Sequence, residues 1–315
     1  MLKTRKQLKA EAQGVLRANP MLRRQMLAFR LLGLAFSTVL GLSVGNPLTE
    51  RFNEVLALIE AGNFTWNQIM LILQRTVTTN LGKITIVTVA NLVWYLFATV
   101  VIFGMLMSIR RVVAQERPAQ MSDLFDGFPL FGKAAGLSVL TTLLIFVRTL
   151  PAIVMIVVAQ MAVGPNWMMS SLITCAGTIY AVRVSYRYEF ATYILAEKPG
   201  LTVKQAIRES IDCTKGRIGA LFSFDMSFIG WSFFVLGIEW LVAFVLGLAV
   251  PAIAPYIAAL VVLPLCAWLY TYMNTSYTLF FRNVVGLDRP EASTAAPPPY
   301  TGGTGGSYSG PDIQI

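Results

Sequence analysis

Six apolar runs, each near or above the ~20 residues that a helix needs to cross a bilayer, recur along a chain of 315 residues. They fall at about Met26 to Gly45, Ile84 to Ser108, Ala134 to Val163, Met168 to Leu195, Gly219 to Val250 and Ala252 to Phe281. In hydrocarbon each backbone N–H and C=O has to be satisfied within the protein, and for runs of this length a helix does so inside the segment. The expected fold class is therefore all-α, a polytopic membrane helix bundle with six transmembrane helices. Only 13% of the residues are charged, against about 25% in soluble domains, so lipid rather than water is the expected solvent.

A net charge of +9 would ordinarily point to nucleic acid. Here the basic residues sit between the apolar runs, where membrane topology explains them. With the N-terminus inside, the inner segments hold eight basic residues up to Arg30, four from Arg110 to Lys133, seven from Arg183 to Arg217, and Arg282 with Arg289. The outer segments hold only Arg51, Arg75 and Lys83, and Arg148 is left within a span. A distribution of 21 to 3 places both termini in the cytoplasm. The lipid bilayer and the anionic headgroups of its cytoplasmic face are then the expected partners, and no nucleic acid is.

Residues 1–25 form a basic segment in which Thr4 and Gln7 have the spacing of a capping box. Leu8, Ala12, Val15 and Leu16 follow at helical spacing, so an amphipathic helix lying on the cytoplasmic leaflet is expected. The charged region is too long for a signal peptide, and no small-residue cleavage site follows the apolar run. Thr202 to Thr214 repeats the pattern, with Thr202 and Gln205 in the capping positions, Val203, Ala206, Ile207 and Ile211 as the stripe, and Gly216 as terminator. Ser122 begins a poorer third copy within a capped turn. Between residues 48 and 82 two short amphipathic helices are expected on the outer surface, one striped by Phe52, Val55, Leu56 and Ile59, the other by Trp66, Ile69, Met70 and Leu73. Residues 26–285 make up the membrane domain. Residues 286–315 are rich in Pro, Gly and Ser and cannot bury a core, so a disordered tail is expected.

Four segments also carry a family resemblance. Arg5-Lys6-Gln7-Leu8-Lys9 through Asn19, Asp123-Leu124-Phe125-Asp126-Gly127-Phe128, Tyr193 to Pro199, and Ser227-Phe228-Ile229-Gly230-Trp231 resemble the bacterial membrane proteins grouped as domain of unknown function 975. The last element is the most specific. The resemblance implies a multi-helix protein of the bacterial cytoplasmic membrane with no established activity, and it brings no catalytic or ligand residues with it.

The absence of histidine removes Ser-His-Asp and Cys-His nucleophiles, HExxH zinc sites and histidine proton relays together. Cys175, Cys213 and Cys266 are far apart in sequence, so neither a disulfide framework nor a metal motif is indicated. No enzyme, cofactor or metal is expected.

Polar residues within the spans are the remaining candidates. Asp225, Ser232 and Glu239 are spaced by seven and share one helix face within ~40°; Ser223, Gly230 and Gly237 line the other. An ionisable residue at membrane depth calls for a partner. Arg148 is the expected one for Glu239, their depths differing by ~6 Å; Arg183, Arg187 or Lys215 could serve Asp225. Asn91, within a polar line of Thr85, Thr88, Tyr95 and Thr99, and Asn274 are expected to form interhelical hydrogen bonds. Gly33, Ser37, Gly41 and Gly45 give the first span a small face for packing within the chain or against a second copy; a homo-oligomer and another membrane protein both stay open as partners. The function favoured is a non-catalytic membrane scaffold or accessory protein. The alternative is a transporter or channel for a small solute or ion, with a polar pathway near Arg148 and Glu239.

Overall fold

A computed structural model describes residues 3–44, 66–163, 167–250 and 253–286. The described residues form helices and turns, with no strand among them. In order these are α1 (Arg5–Ala18), α2 (Pro20–Val44), α3 (Trp66–Val113), two 3-10 turns (Met121–Phe125 and Phe128–Leu130), α4 (Phe131–Val163), α5 (Trp167–Ser185), α6 (Ala191–Glu197), α7 (Val203–Thr214), α8 (Ile218–Gly247) and α9 (Ala254–Val285). Among the described residues four stretches are long and apolar enough to cross a membrane: Thr78–Val113, Met121–Ala159, Ile218–Gly247 and Ala254–Val285. Large apolar side chains stand exposed along them, among them Ile86, Val93, Val154, Met155, Phe233 and Trp240. Surfaces of this kind belong against lipid.

Two compact units divide the chain. The first comprises Met1–Met26, Val100–Gly237 and Leu265–Ile315, the second Leu27–Thr99 and Ile238–Pro264. In the second unit Trp94 is the packing centre. Phe36 stacks on it with centroids 4.7 Å apart, and Gly33 leaves room for its indole, where a Cβ would stand 3.2 Å from Cζ2. Gly41 faces Tyr256. Gly33 and Gly41 of the small face of α2 thus pack within the chain, while Gly45 lies outside the described residues.

In the first unit both amphipathic helices start as their sequences dictate. The Thr4 hydroxyl accepts from Gln7 N, and the Gln7 side chain accepts from Thr4 N at 2.8 Å. Thr202 and Gln205 repeat the arrangement at 2.9 Å. Each box satisfies two amide donors that a helix start leaves open. α7 stops at Thr214, and Gly216, at φ +74°, turns the chain into α8. Their apolar stripes, however, are covered by protein: Leu8, Ala12 and Leu16 in α1, and Ala206 and Ile207 in α7, are buried.

Three expectations are refined. The helix beginning at Trp66 is present but joined to the second span: α3 holds both as two helical segments that meet at a kink at Asn80 (φ −112°, ψ 17°). The third capping copy at Ser122 is a 3-10 turn whose cap lies at Gln120. The fourth apolar run is interrupted: α5 ends at Ser185, a turn occupies residues 186–190, and α6 follows. The stripe from Phe52 to Ile59 and the tail after residue 286 lie outside the described residues.

Candidate functional site

The turn Asp123-Leu124-Phe125-Asp126-Gly127-Phe128 is pressed directly on the backbone of α3. A Cβ on Gly104 would meet Leu124 O at 2.5 Å and Asp123 O at 2.9 Å. One on Gly127 would meet Gly104 N at 3.0 Å and, closer still, Val100 O. Two glycines facing each other across the contact are what allow two backbones to approach so closely. Asp123, 1% exposed, holds the turn in place. Its carboxylate accepts from Ser108 Oγ (3.0 Å) and Gln120 N (2.9 Å) and pairs with Arg117 (2.6 Å) and Arg111 (3.5 Å). Arg111 also pairs with Asp126. The buried Gln25 of α2 donates to Gln120 O and to Ser108 Oγ. A buried carboxylate carrying four donors is a fixed post rather than a mobile acid.

The Tyr193-to-Pro199 segment forms a second tie. Glu197, at the end of α6, pairs with Arg282 of α9 at 3.0 Å and Arg110 of α3 at 3.8 Å. Lys198 pairs with Glu209 of α7 at 3.0 Å, and Lys133 of α4 donates to Pro199 O at 2.6 Å.

Ser227 to Trp231 forms the third. Phe228, 1% exposed, lies 5.5 Å from Tyr272, and Trp231 lies 5.4 Å from Trp268, ring centre to ring centre. Lys9 of α1 donates to Ser227 O at 2.8 Å and sits 3.9 Å over the Phe228 ring. Arg5 bonds Ser223 one turn earlier. The most specific family-like element is therefore a docking seat for α1. Gly230 has no described atom within 4 Å of a Cβ built on it, and neither has Gly237, so among the described residues the small face of α8 meets α1 at Ser223 and is open at these two glycines.

Beside these ties lies a cavity of about 280 Å³ with a mixed lining, apolar at Ile102, Leu106 and Ile145. The turn 186–190 supplies Tyr188 and Glu189, α4 supplies Thr141, α6 supplies Thr192 and Tyr193, and α9 supplies Asn274. The turn is held by α7: the buried Ser210 donates to Arg187 O at 3.0 Å, and Thr214 reaches the same oxygen at 3.5 Å. Phe190, fully buried, anchors its far end against Phe281 and Phe280. Glu189 is exposed and lines the cavity, and the protein around it strips part of the water from its carboxyl. That desolvation, and next the negative Asp225, push its carboxyl from 4.5 up to about 7.

The sign of the resulting pH effect is fixed. A carboxyl raised in the folded state favours folding fully below its ordinary value and loses that contribution as pH climbs through about 7. Between pH 5 and pH 8 the thermal midpoint of the detergent-purified protein should fall, and Glu189→Gln should flatten that fall. Matching pH profiles for the two proteins would contradict this origin.

The residues singled out in the sequence are distributed as follows. Asp225 accepts from the Tyr186 hydroxyl rather than from a basic residue. Tyr193 donates to Asn274 Oδ1 at 3.4 Å, an interhelical contact as expected, while Asn274 Nδ2 bonds Tyr270 O in its own helix. Ser232 donates to Phe228 O at 3.3 Å and Asn91 to Val87 O at 2.8 Å, each within its helix. Thr85, Thr88 and Thr99 likewise bond the carbonyl four residues back. Arg148 is exposed, 5.6 Å from the Tyr188 ring centre, and Tyr180 donates to its carbonyl. Arg148 belongs to the first unit and Glu239 to the second, so the expected pair is contained in neither. Sequence reasoning missed Glu189, which sits in a basic, tyrosine-rich stretch where one more charge reads as an ordinary headgroup-level residue. The signal available was Ser210 and Thr214, polar residues four apart beside the apolar stripe of α7.

Residues 1–288 match the family described as protein of unknown function (DUF975), and the chain belongs to that family. No curated protein and no solved structure matches it.

Proposed function

We propose that this chain is a six-span protein of the bacterial cytoplasmic membrane, with both termini inside, acting as a non-catalytic scaffold or accessory protein. α2 and α5 supply the two spans beyond the four most apolar stretches. The observation that carries the scaffold reading is the way polar groups are satisfied. Thr85, Thr88, Asn91 and Thr99 of the polar line on α3 bond that helix's own carbonyls, and groups paired in this way do not call for a solute. The charged residues with partners, meanwhile, fasten Asp123, Glu197 and the α1 seat. Such ties favour a fixed platform at the inner face. Lys204 and Arg208 on α7 are exposed and suited to anionic headgroups.

A small-solute or ion pathway is the second reading, and the cavity beside Glu189 is what favours it. Flux separates the two. Proteoliposomes loaded with potassium or choline should leak no faster than protein-free liposomes; saturable flux of either would overturn the scaffold reading.

A further inference from the structure

A second cavity, of about 200 Å³, lies where α1 hands over to α2 and is lined by Gln13, Leu16, Arg17, Arg23 and Trp268. Arg17 and Arg23 are both exposed, and neither is among the arginines that form ion pairs or hydrogen bonds in the described structure. Two guanidinium groups facing one small cavity repel each other unless an anion lies between them. Arg23 adds to this. It stands in the first turn of the 25-residue helix α2, where the helix dipole disfavours a cation and favours an anion. Trp268, which also lines the cavity, is stacked on Tyr272 at 5.5 Å and edge-on to Trp231 at 5.4 Å. Paired tryptophans are a feature of the membrane–water boundary, amphipathic rings at headgroup level. Guanidinium matches phosphate with two parallel N–H donors, and the Gln13 amide, which hydrogen-bonds Tyr272, keeps a second N–H for a glycerol or ester oxygen. The shared chemistry is that of a phosphate monoanion or diester with an apolar extension passing Leu16 and Trp268.

We propose that this cavity seats the phosphate of an anionic phospholipid from the cytoplasmic leaflet, held between Arg17 and Arg23. The assignment rests on the inner-face placement of α1 given above, and it replaces a diffuse attraction by one defined seat. Bound there, the lipid ties α1 to the start of α2, and through the contacts of Lys9 and Arg5 it steadies α8 as well.

The test is native mass spectrometry of the full chain released from nanodiscs of phosphatidylcholine with added phosphatidylglycerol. Wild-type protein should retain one phosphatidylglycerol in clear preference to phosphatidylcholine. Arg17→Gln with Arg23→Gln should lower that occupancy on the order of thirtyfold, the combined effect of two arginines at the surface. Lys204→Gln with Arg208→Gln, on α7, which removes the same charge from the diffuse attraction alone, should lower it far less. Both pairs are exposed, and circular dichroism with the thermal midpoint confirms folding; Arg17→Lys with Arg23→Lys, which keeps charge but loses the paired donors, should fall between. Equal losses from the α1–α2 and α7 pairs would mean surface attraction alone, overturning the seat while leaving the inner-face reading standing. Undiminished retention in the Arg17/Arg23 variant would also overturn it. Protection of the detergent-purified protein by soluble glycerol 3-phosphate to the same extent would assign the cavity to a soluble phosphate ester and overturn the lipid.

Discussion

Gly127→Ala is expected to destabilise the protein by about 3 kcal/mol or more, the upper range for overpacking a close contact. The added Cβ would meet Val100 O and Gly104 N, both backbone atoms of α3 that no rotamer change can move aside. The turn would have to lift, and with it the grip of Asp123 on Arg117 and Ser108. Gly132→Ala, with no described atom near its Cβ, is the internal control: there alanine should be neutral or slightly stabilising, because glycine inside a helix is the poorer choice by ~1 kcal/mol. Thermal unfolding in detergent, read on both variants, checks the contrast. Equal midpoints for Gly127→Ala and wild type would show that the turn does not rest on α3 as described.

Asp123→Ala should be comparably severe, about 3–5 kcal/mol, the usual consequence of removing one partner from a buried charged cluster. Arg117 and Arg111 would lose their shared acceptor, and Gln120 N its cap. Asp123→Asn keeps the shape and a hydrogen-bonding oxygen, so it should lie between wild type and alanine. A loss no larger in Asp123→Ala than in Asp126→Ala, whose carboxylate is part-exposed, would contradict the central place given to Asp123.

What the sequence made legible follows the range of the interactions involved. The caps at Thr4 and Thr202 are local, threonine and glutamine three residues apart, and both appear as written. Gly216 as the end of α7 is local too. The turn at Asp123 was legible only as a capped turn, because its role depends on Gly104 and Ser108 on a different element. The break after Ser185 was hidden for a related reason. Tyr186, Tyr188 and Phe190 are apolar enough to extend the run, while the bonds that hold the chain out of a helix come from Ser210 and Thr214. The stripes of α1 and α7 were correctly placed but assigned to lipid, since an apolar face has the same pattern whether oil or protein covers it. Of the polar candidates, Asp225 and Asn274 stood out against apolar helices and do have partners on neighbouring elements. Glu189 did not stand out.

The central claim is that the platform formed by α1, the Asp123 turn, α6 and α7 lies on the cytoplasmic side of a six-span chain. Single-cysteine labelling with a membrane-impermeant maleimide in intact cells tests it most directly, after Cys175, Cys213 and Cys266 have been replaced. Asn63→Cys lies in the segment expected outside, and Lys204→Cys lies on the exposed side of α7. Labelling at position 63 from outside, with position 204 reached only after permeabilisation, is the predicted result; labelling of position 204 in intact cells would contradict the account.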